Sequence, residues 1–305
     1  MWDQENLYEV ASDVPELGGA VLLHYFDGFM DAGSAGRVFT EHLLDELEHR
    51  VVARFDVDRL IDYRARRPAL TYATDHWEHY DAPELVVYLL HDTTGTPFLL
   101  LTGPEPDREW ERFTAAVRSL VERWGVRLTV GFHGIPVGAP HTRSLGMTAH
   151  ATRAELVADY DSMLNRMQVP GSVAALLELR LGEGGHDAMG FAAHVPHYLA
   201  QATFQSSAVT LLESITRSTG LGLPEHSLRS AASSAAAELD RQVAESEEAT
   251  DVVRALEQQY DTFAGANRQH SLLDSTEQLP SADEIGNELE RFLAEHQERT
   301  DPPEH

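Results

Sequence analysis

Two residue types are missing from this chain of 305 residues: it has no cysteine, and every one of its 23 Lys and Arg positions is arginine. Without cysteine there is no disulfide, no thiolate nucleophile and no cysteine-ligated zinc or iron–sulfur centre, and a reducing cytoplasm is the expected compartment. Without lysine there is no Schiff base, no ammonium general base and no Walker-A phosphate lysine. Positive charge is scarce altogether. Fifty acids leave a net charge of −27, a field that repels nucleic acid and anionic lipid, so neither is an expected partner. Apolar runs such as Leu85 to Leu90 fall far short of the ~20 residues that cross a bilayer. The opening MWDQENLYEVASDV carries acids where a secretory signal carries positive charge, which predicts no targeting segment.

What is present is enough hydrophobic sequence, 42%, for one large α/β core with an accessory element. Ala20 to Phe26 reads as a buried strand, Phe39, Leu43, Leu44 and Leu47 recur at helical spacing, and Val51 to Phe55 returns to strand. The runs Leu85 to Leu90 and Phe98 to Leu101 flank a turn-rich segment, which predicts a hairpin and hence a mixed sheet. Asp107 is placed to cap a helix whose stripe of Trp110, Phe113, Val117, Leu120, Val121 and Trp124 belongs to the core, with Gly125 ending it and a strand over Val126 to Phe132. Thr152 and Glu155 have capping-box spacing, predicting a helix to about Met167. A helix to Leu181, a strand over Met189 to Val195 and a helix over Ser206 to Ser218 complete the α/β part.

Leu223-Pro224 reads as a boundary, giving an α/β domain over 1–224 and a helical extension over 225–305. Its three stripes are Leu228 to Val243, rich in alanine, then Val252, Leu256, Tyr260 and Phe263, and last Ile285 to Leu293 behind a capping box at Ser281 to Glu284. The extension carries 19 acids against 6 arginines, and its acidic end is expected to be disordered.

Polar clusters stand where strands end. In an open α/β sheet, loops at the carboxyl ends of strands converge on one edge, so Asp27-Gly28 with Asp31, Arg67, Glu105, His141 with Arg143, and His197 form a candidate pocket or interface. An acid pair with a guanidinium suits a polar ligand, and His133 or His141 suits proton movement near neutral pH. The same residues also suit structural roles: Asp31 as a helix cap, Glu105 and Arg143 as an ion pair. Simple phosphate binding at the first helix is disfavoured because Asp31 occupies the place an anion would take. Sixteen histidines include the pairs His76/His79 and His194/His197, yet no HExxH motif occurs and no metal or other cofactor is expected. The GxSxG elbow of serine hydrolases is absent, since Ala32 precedes Gly33-Ser34-Ala35-Gly36.

FDGFMDAG from Phe26 to Gly33, DYRARRP from Asp62 to Pro68, GPEPDREW from Gly103 to Trp110, PHTR from Pro140 to Arg143, VPHYLA from Val195 to Ala200 and LEQQYD from Leu256 to Asp261 stand in order. Together they resemble the proteasome assembly chaperone family of the second-subunit type, above all its actinobacterial members. The resemblance implies a three-layer α/β/α sandwich similar to phosphorylase/hydrolase-like proteins, C-terminal helices and a homo-oligomer. It also implies a non-enzymatic protein-binding scaffold or chaperone, with a proteasome subunit as the kind of partner expected. The alternative is an enzyme acting on a small polar or nucleoside-like substrate in a pocket lined by carboxylates and arginine.

Overall fold

The computed structural model describes residues 7–160, 166 and 168–273. Ten strands occur among them: β1 (Tyr8–Val10), β2 (Val21–Asp27), β3 (His49–Phe55), β4 (Leu70–Ala73), β5 (His76–Tyr80), β6 (Val86–His91), β7 (Pro97–Pro104), β8 (Leu128–Val137), β9 (Met147–Ala151) and β10 (Ala188–Pro196). The helices are α1 (Ala35–Glu46), the single turn α2 (Val57–Leu60), α3 (Trp110–Trp124), α4 (Val173–Glu183), α5 (Gln205–Thr219), α6 (His226–Ala244) and α7 (Glu247–Leu273). One compact unit runs from residue 1 to Glu257 and a second from Gln258 onward, described as helix through Leu273.

Eight strands form one sheet in the order β1-β3-β6-β7-β2-β8-β10-β9. The four central strands β7, β2, β8 and β10 are parallel, and the remaining pairings are antiparallel, so the sheet is mixed. Parallel strands covered on both faces favour near-continuous apolar runs, which is why β2 reads as VLLHYF, broken only by His24. Leu22, Leu99 and Leu101 meet Phe113, Val117 and Leu120 of α3 and Leu177 of α4 on one face. Leu23, Leu100 and Phe132 meet Phe39 and Leu43 of α1 and Leu211 and Ile215 of α5 on the other. The result is a three-layer α/β/α architecture, as the family resemblance implied.

Several local expectations change. Asp107 does not cap α3. Its carboxylate accepts from the Asp62 backbone N–H at 2.7 Å and from Arg66, and α3 starts at Trp110, after Glu109, whose left-handed backbone (φ 55°) turns the chain into the helix. Thr152 forms no capping box: its Oγ1 accepts from Ala188 N–H at 3.0 Å beside the sheet edge, and the described segment after it is a short 3-10 turn over Ala154–Val157. The rest of that expected helix, 161–165 and 167, lies outside the described residues, as does the stripe Ile285 to Leu293. On α7, Val253 is the buried valine (8% exposed) and Val252 points outward, one position from the expected stripe.

β4 and β5 form a separate two-stranded hairpin. Leu70 pairs with Tyr80 and Tyr72 with Trp77, and a bulge between the two pairs takes up the odd residue, Glu78. Paired residues share a face and i, i+2 positions repeat it, so the bulge brings Trp77 onto the side of Leu70, Tyr72 and Tyr80. All four are exposed.

Candidate functional site

The carboxyl ends of β2 and β7 lie side by side, with Asp27 opposite Pro104 and the Glu105 N–H donating to the Asp27 carbonyl at 2.8 Å. One arginine clamps both ends. Arg66 donates through Nη1 to the Asp27 carbonyl (3.0 Å) and through Nη2 to the Glu105 carbonyl (2.6 Å) and the Asp107 carboxylate. Its guanidinium lies over Gly28, where a Cβ would stand 2.7 Å from Nη1 and where φ is 145°, so only glycine fits. The arginine at this point is Arg66, whereas the candidate Arg67 is exposed on the same loop. Glu105 is buried, and its Oε1 accepts from the Val173 N–H at 2.8 Å, adding a second cap to α4 beside Ser172, which accepts from Ala175 N–H.

Asp31 is the most heavily used carboxylate at this edge. It accepts from the N–H groups of Gly36 (2.8 Å), Arg37 (3.0 Å) and Gly134 (2.9 Å) and from the Tyr25 hydroxyl (3.1 Å). It thereby serves the orphan amides at the start of α1 from within the chain, where a phosphate would otherwise sit. Burial pushes its pKa up, against the pull of the four donors. Burial, with the charges of Asp31 and Asp27 close by, likewise pushes the Tyr25 phenol far above its ordinary value.

Between these groups lies an open groove of about 610 Å³, whose wall includes Tyr25, Asp27, Met30, Ser34, Arg37 and Gln201. Ser34 adopts left-handed backbone (φ 52°) at the entry to α1, and its Oγ accepts from Arg37 Nη2 at 2.7 Å. No general base is hydrogen-bonded to Ser34 among the described residues, so the groove lacks a base-activated serine. Ser34 figured in the sequence only as a serine outside a GxSxG elbow, and Arg37 did not stand out, because an arginine in the first turn of a helix is common.

His141 and Arg143 gather elsewhere. The His141 N–H donates to the Tyr198 hydroxyl (2.9 Å), which lies 2.6 Å from His141 Nδ1, while Nε2 faces Asp240 of α6 at 3.2 Å. One tautomer satisfies all three contacts: Tyr198 donates to Nδ1 and Nε2–H donates to Asp240. Arg143 pairs with Glu257 of α7 at 3.0 Å, and the Thr142 hydroxyl donates to the same carboxylate. His197 is exposed, its ring edge-on to Tyr198. The structure therefore joins Asp27, Gly28 and Glu105 around Arg66, sets Asp31 on the adjoining groove, and places His141 and Arg143 in contacts that hold α6 and α7.

A third group went unread as a cluster in the sequence, where His133 alone of it stood out. His24, His133 and His150 project from one face of β2, β8 and β9, and Glu178 of α4 accepts from His150 at 2.9 Å. His24 pairs in register with Gly131, Gly131 with Gly190, and Gly190 with His150. The two glycines leave room for the rings: a Cβ at Gly131 would lie 2.6 Å from His24 and one at Gly190 would lie 2.2 Å from His150. Burial lowers the His24 pKa to about 3 and the His133 pKa to about 4. Among the described residues no group of three or more acids, histidines or cysteines is arranged to hold a metal ion.

A mixed eight-stranded sheet between helical layers defines an α/β/α protein, and a carboxylate-edged groove lies at the carboxyl end of its central parallel strands. Residues 25–243 match the model of the PAC2 family, and the chain belongs to that family. It is similar to a Mycobacterium tuberculosis protein of unknown function, with 47% identity over 87% of this chain and 92% of that one and a TM-score of 0.84. A Corynebacterium glutamicum protein of unknown function is 38% identical over 85% and 98% of the two chains, with a TM-score of 0.80. The M. tuberculosis proteasome-assembly chaperone homologue shares the fold at 21% identity, with 76% and 99% covered and a TM-score of 0.70. No curated protein matches the chain. No described helix is long and apolar enough to cross a membrane.

Proposed function

We propose that this PAC2-family protein is a non-enzymatic, homo-oligomeric scaffold or chaperone of the cytoplasm, whose partner is a protein such as a proteasome subunit. The observation that carries this reading is the β4–β5 hairpin: Leu70, Tyr72, Trp77 and Tyr80 are 52, 58, 63 and 46% exposed on one face. Aromatic residues presented together in this way mark interaction surfaces. The similarity in fold to the M. tuberculosis proteasome-assembly chaperone homologue supports the partner class. So does the use of Asp31, Glu105, His141 and Arg143 in structural contacts, which leaves them poorly placed for chemistry. Light scattering on the 33.8 kDa chain is expected to give a multiple of that mass, and Tyr72→Ser with Trp77→Ser to reduce it. Proteasome subunits of the host are expected to co-purify with the wild type. A monomeric wild type, or failure to retain purified proteasome subunits, contradicts the respective half of the reading.

A second reading, a site for a small polar ligand, is favoured by the groove beside β2 and by the Asp27 carboxylate at its edge. The candidate Arg143 lies in the α7 contact, so the guanidinium of such a site is Arg37. Ligand-induced thermal stabilisation that Asp27→Ala abolishes is the expected result, and equal stabilisation of wild type and variant overturns it.

A further inference from the structure

Two opposite charges line the groove without meeting each other or any other charged partner. The Asp27 side chain makes no hydrogen bond or ion pair among the described residues; only its backbone carbonyl is engaged, by Arg66 and Glu105. The Arg37 guanidinium has no carboxylate partner among them and rests on Ser34 Oγ at 2.7 Å. Both residues line the same groove, together with Tyr25. Asp31, the third charge there, already accepts from four donors.

We propose that this groove binds a short peptide by both of its free termini, the ammonium on the Asp27 carboxylate and the terminal carboxylate on Arg37 and Ser34. The proposal rests on the second reading above, that the groove takes a small ligand, and names its class. A ligand with a single charge would leave either Asp27 or Arg37 uncompensated as water is expelled, whereas a zwitterion answers both. Long-range electrostatics point the same way: a net charge of −27 repels phosphates and nucleotides, while a ligand of zero net charge approaches without that penalty. Length follows from size, because about 610 Å³ falls within the range of small-ligand clefts and exceeds what one amino acid fills. Phe29 and Met30, 48 and 41% exposed beside the groove, offer apolar contact to the peptide's side chains, and the Gln201 amide at the wall suits its backbone.

Titration calorimetry of the full chain with trileucine, N-acetyl-trileucine, trileucine amide, free leucine and inorganic phosphate tests this. Trileucine is expected to bind, and blocking either terminus to weaken binding by about tenfold or more, the worth of a charge-assisted contact. Asp27→Asn should weaken trileucine about as much as acetylation does and leave the acetylated peptide's affinity unchanged. Arg37→Gln should mirror this for the amide. Both side chains are at the surface, and circular dichroism checks that the variants remain folded. Equal affinity for blocked and unblocked peptides, leucine or phosphate binding as tightly as trileucine, or no trileucine binding by folded protein at millimolar concentration overturns the proposal. In the last case, stabilisation by a non-peptide metabolite that is lost in Asp27→Asn would leave the small-ligand reading standing while the peptide class falls.

Discussion

Single side chains decide how this edge of the sheet behaves. Asp31 satisfies three amides and a phenol at once, and Asn at the same place offers one acceptor oxygen and a donor amide that faces those donors. Asp31→Asn is therefore expected to cost about 2 kcal/mol in urea unfolding, the scale of a lost cap with buried donors left unpaired. His24 acts through pH instead. It is 3% exposed, its Nδ1 has no partner, and burial, then the charges of His150 and His133, hold its pKa near 3. The unfolded chain binds that proton at about pH 6.5 and the folded one does not, so stability falls as pH drops below 6.5, by roughly 3 kcal/mol at pH 4. His133, held near pKa 4 by burial and by His150, adds in the same direction. His150 opposes them: burial disfavours its charge, but the Glu178 carboxylate outweighs that and raises its pKa, so its contribution is present in acid and lost as pH rises. Urea midpoints of wild type and His24→Leu between pH 4 and 7.5 check the balance. The wild type is expected to lose stability steeply towards pH 4 and the variant less so; parallel curves would show that His24 titrates alike in the folded and unfolded states, against a depressed folded-state pKa.

At the scale of elements, the α7 register separates two adjacent valines. Val253 is buried and Val252 is 46% exposed, so Val253→Ala should cost about 1–2 kcal/mol and Val252→Ala less than about 0.5 kcal/mol in the same unfolding assay. The sequence pattern placed the stripe on Val252 because it counted back from Leu256 and Tyr260 in steps of four, and a three-residue step fits a helix equally well. Central elements were legible for a physical reason: β2, β7, β8 and β10 are covered on both faces or flanked by long apolar stripes, so burial writes itself into the sequence. β9 was not legible, since MTAHA is a partly exposed edge strand of small and polar residues. The hairpin β4–β5 hid its character too, because its aromatics look like core residues until the structure places them outside. Within DYRARRP, three arginines compete, and only the fold shows that Arg66 turns inward to the ends of β2 and β7. Asp27, Gly28 and Glu105 could be read as one site because adjacent parallel strands carry them to the same edge; His141 and Arg143 were drawn elsewhere by Asp240 and Glu257, acids on helices whose approach no spacing announces.

For the molecule as a whole, the dominant long-range term is self-repulsion. Fifty acids face 23 arginines, and many of the ion pairs that do form, such as Arg50–Asp13, Arg241–Glu238 and Arg254–Asp251, are largely solvent-exposed. Exposed pairs of that kind contribute about 0–1 kcal/mol each and lose part of it on screening. The surplus of 27 negative charges has no such local compensation, and compacting the chain brings those charges closer together. Salt at 0.15 M shortens the range of the repulsion to about 8 Å, which relieves the distant pairs while leaving buried contacts such as Glu105 on Val173 nearly untouched. Two effects thus oppose each other, and their magnitudes favour the repulsion. The melting temperature is expected to rise as sodium chloride goes from about 10 mM to about 0.3 M, a range over which charge screening dominates over the surface-exclusion effects of strongly hydrated salts. Scanning calorimetry across that series, repeated with sodium sulfate at matched ionic strength, separates the two causes. Equal rises at low ionic strength identify screening, a rise confined to sulfate identifies exclusion, and a falling melting temperature in sodium chloride would mean that the surface ion pairs stabilise the fold more than the net charge strains it.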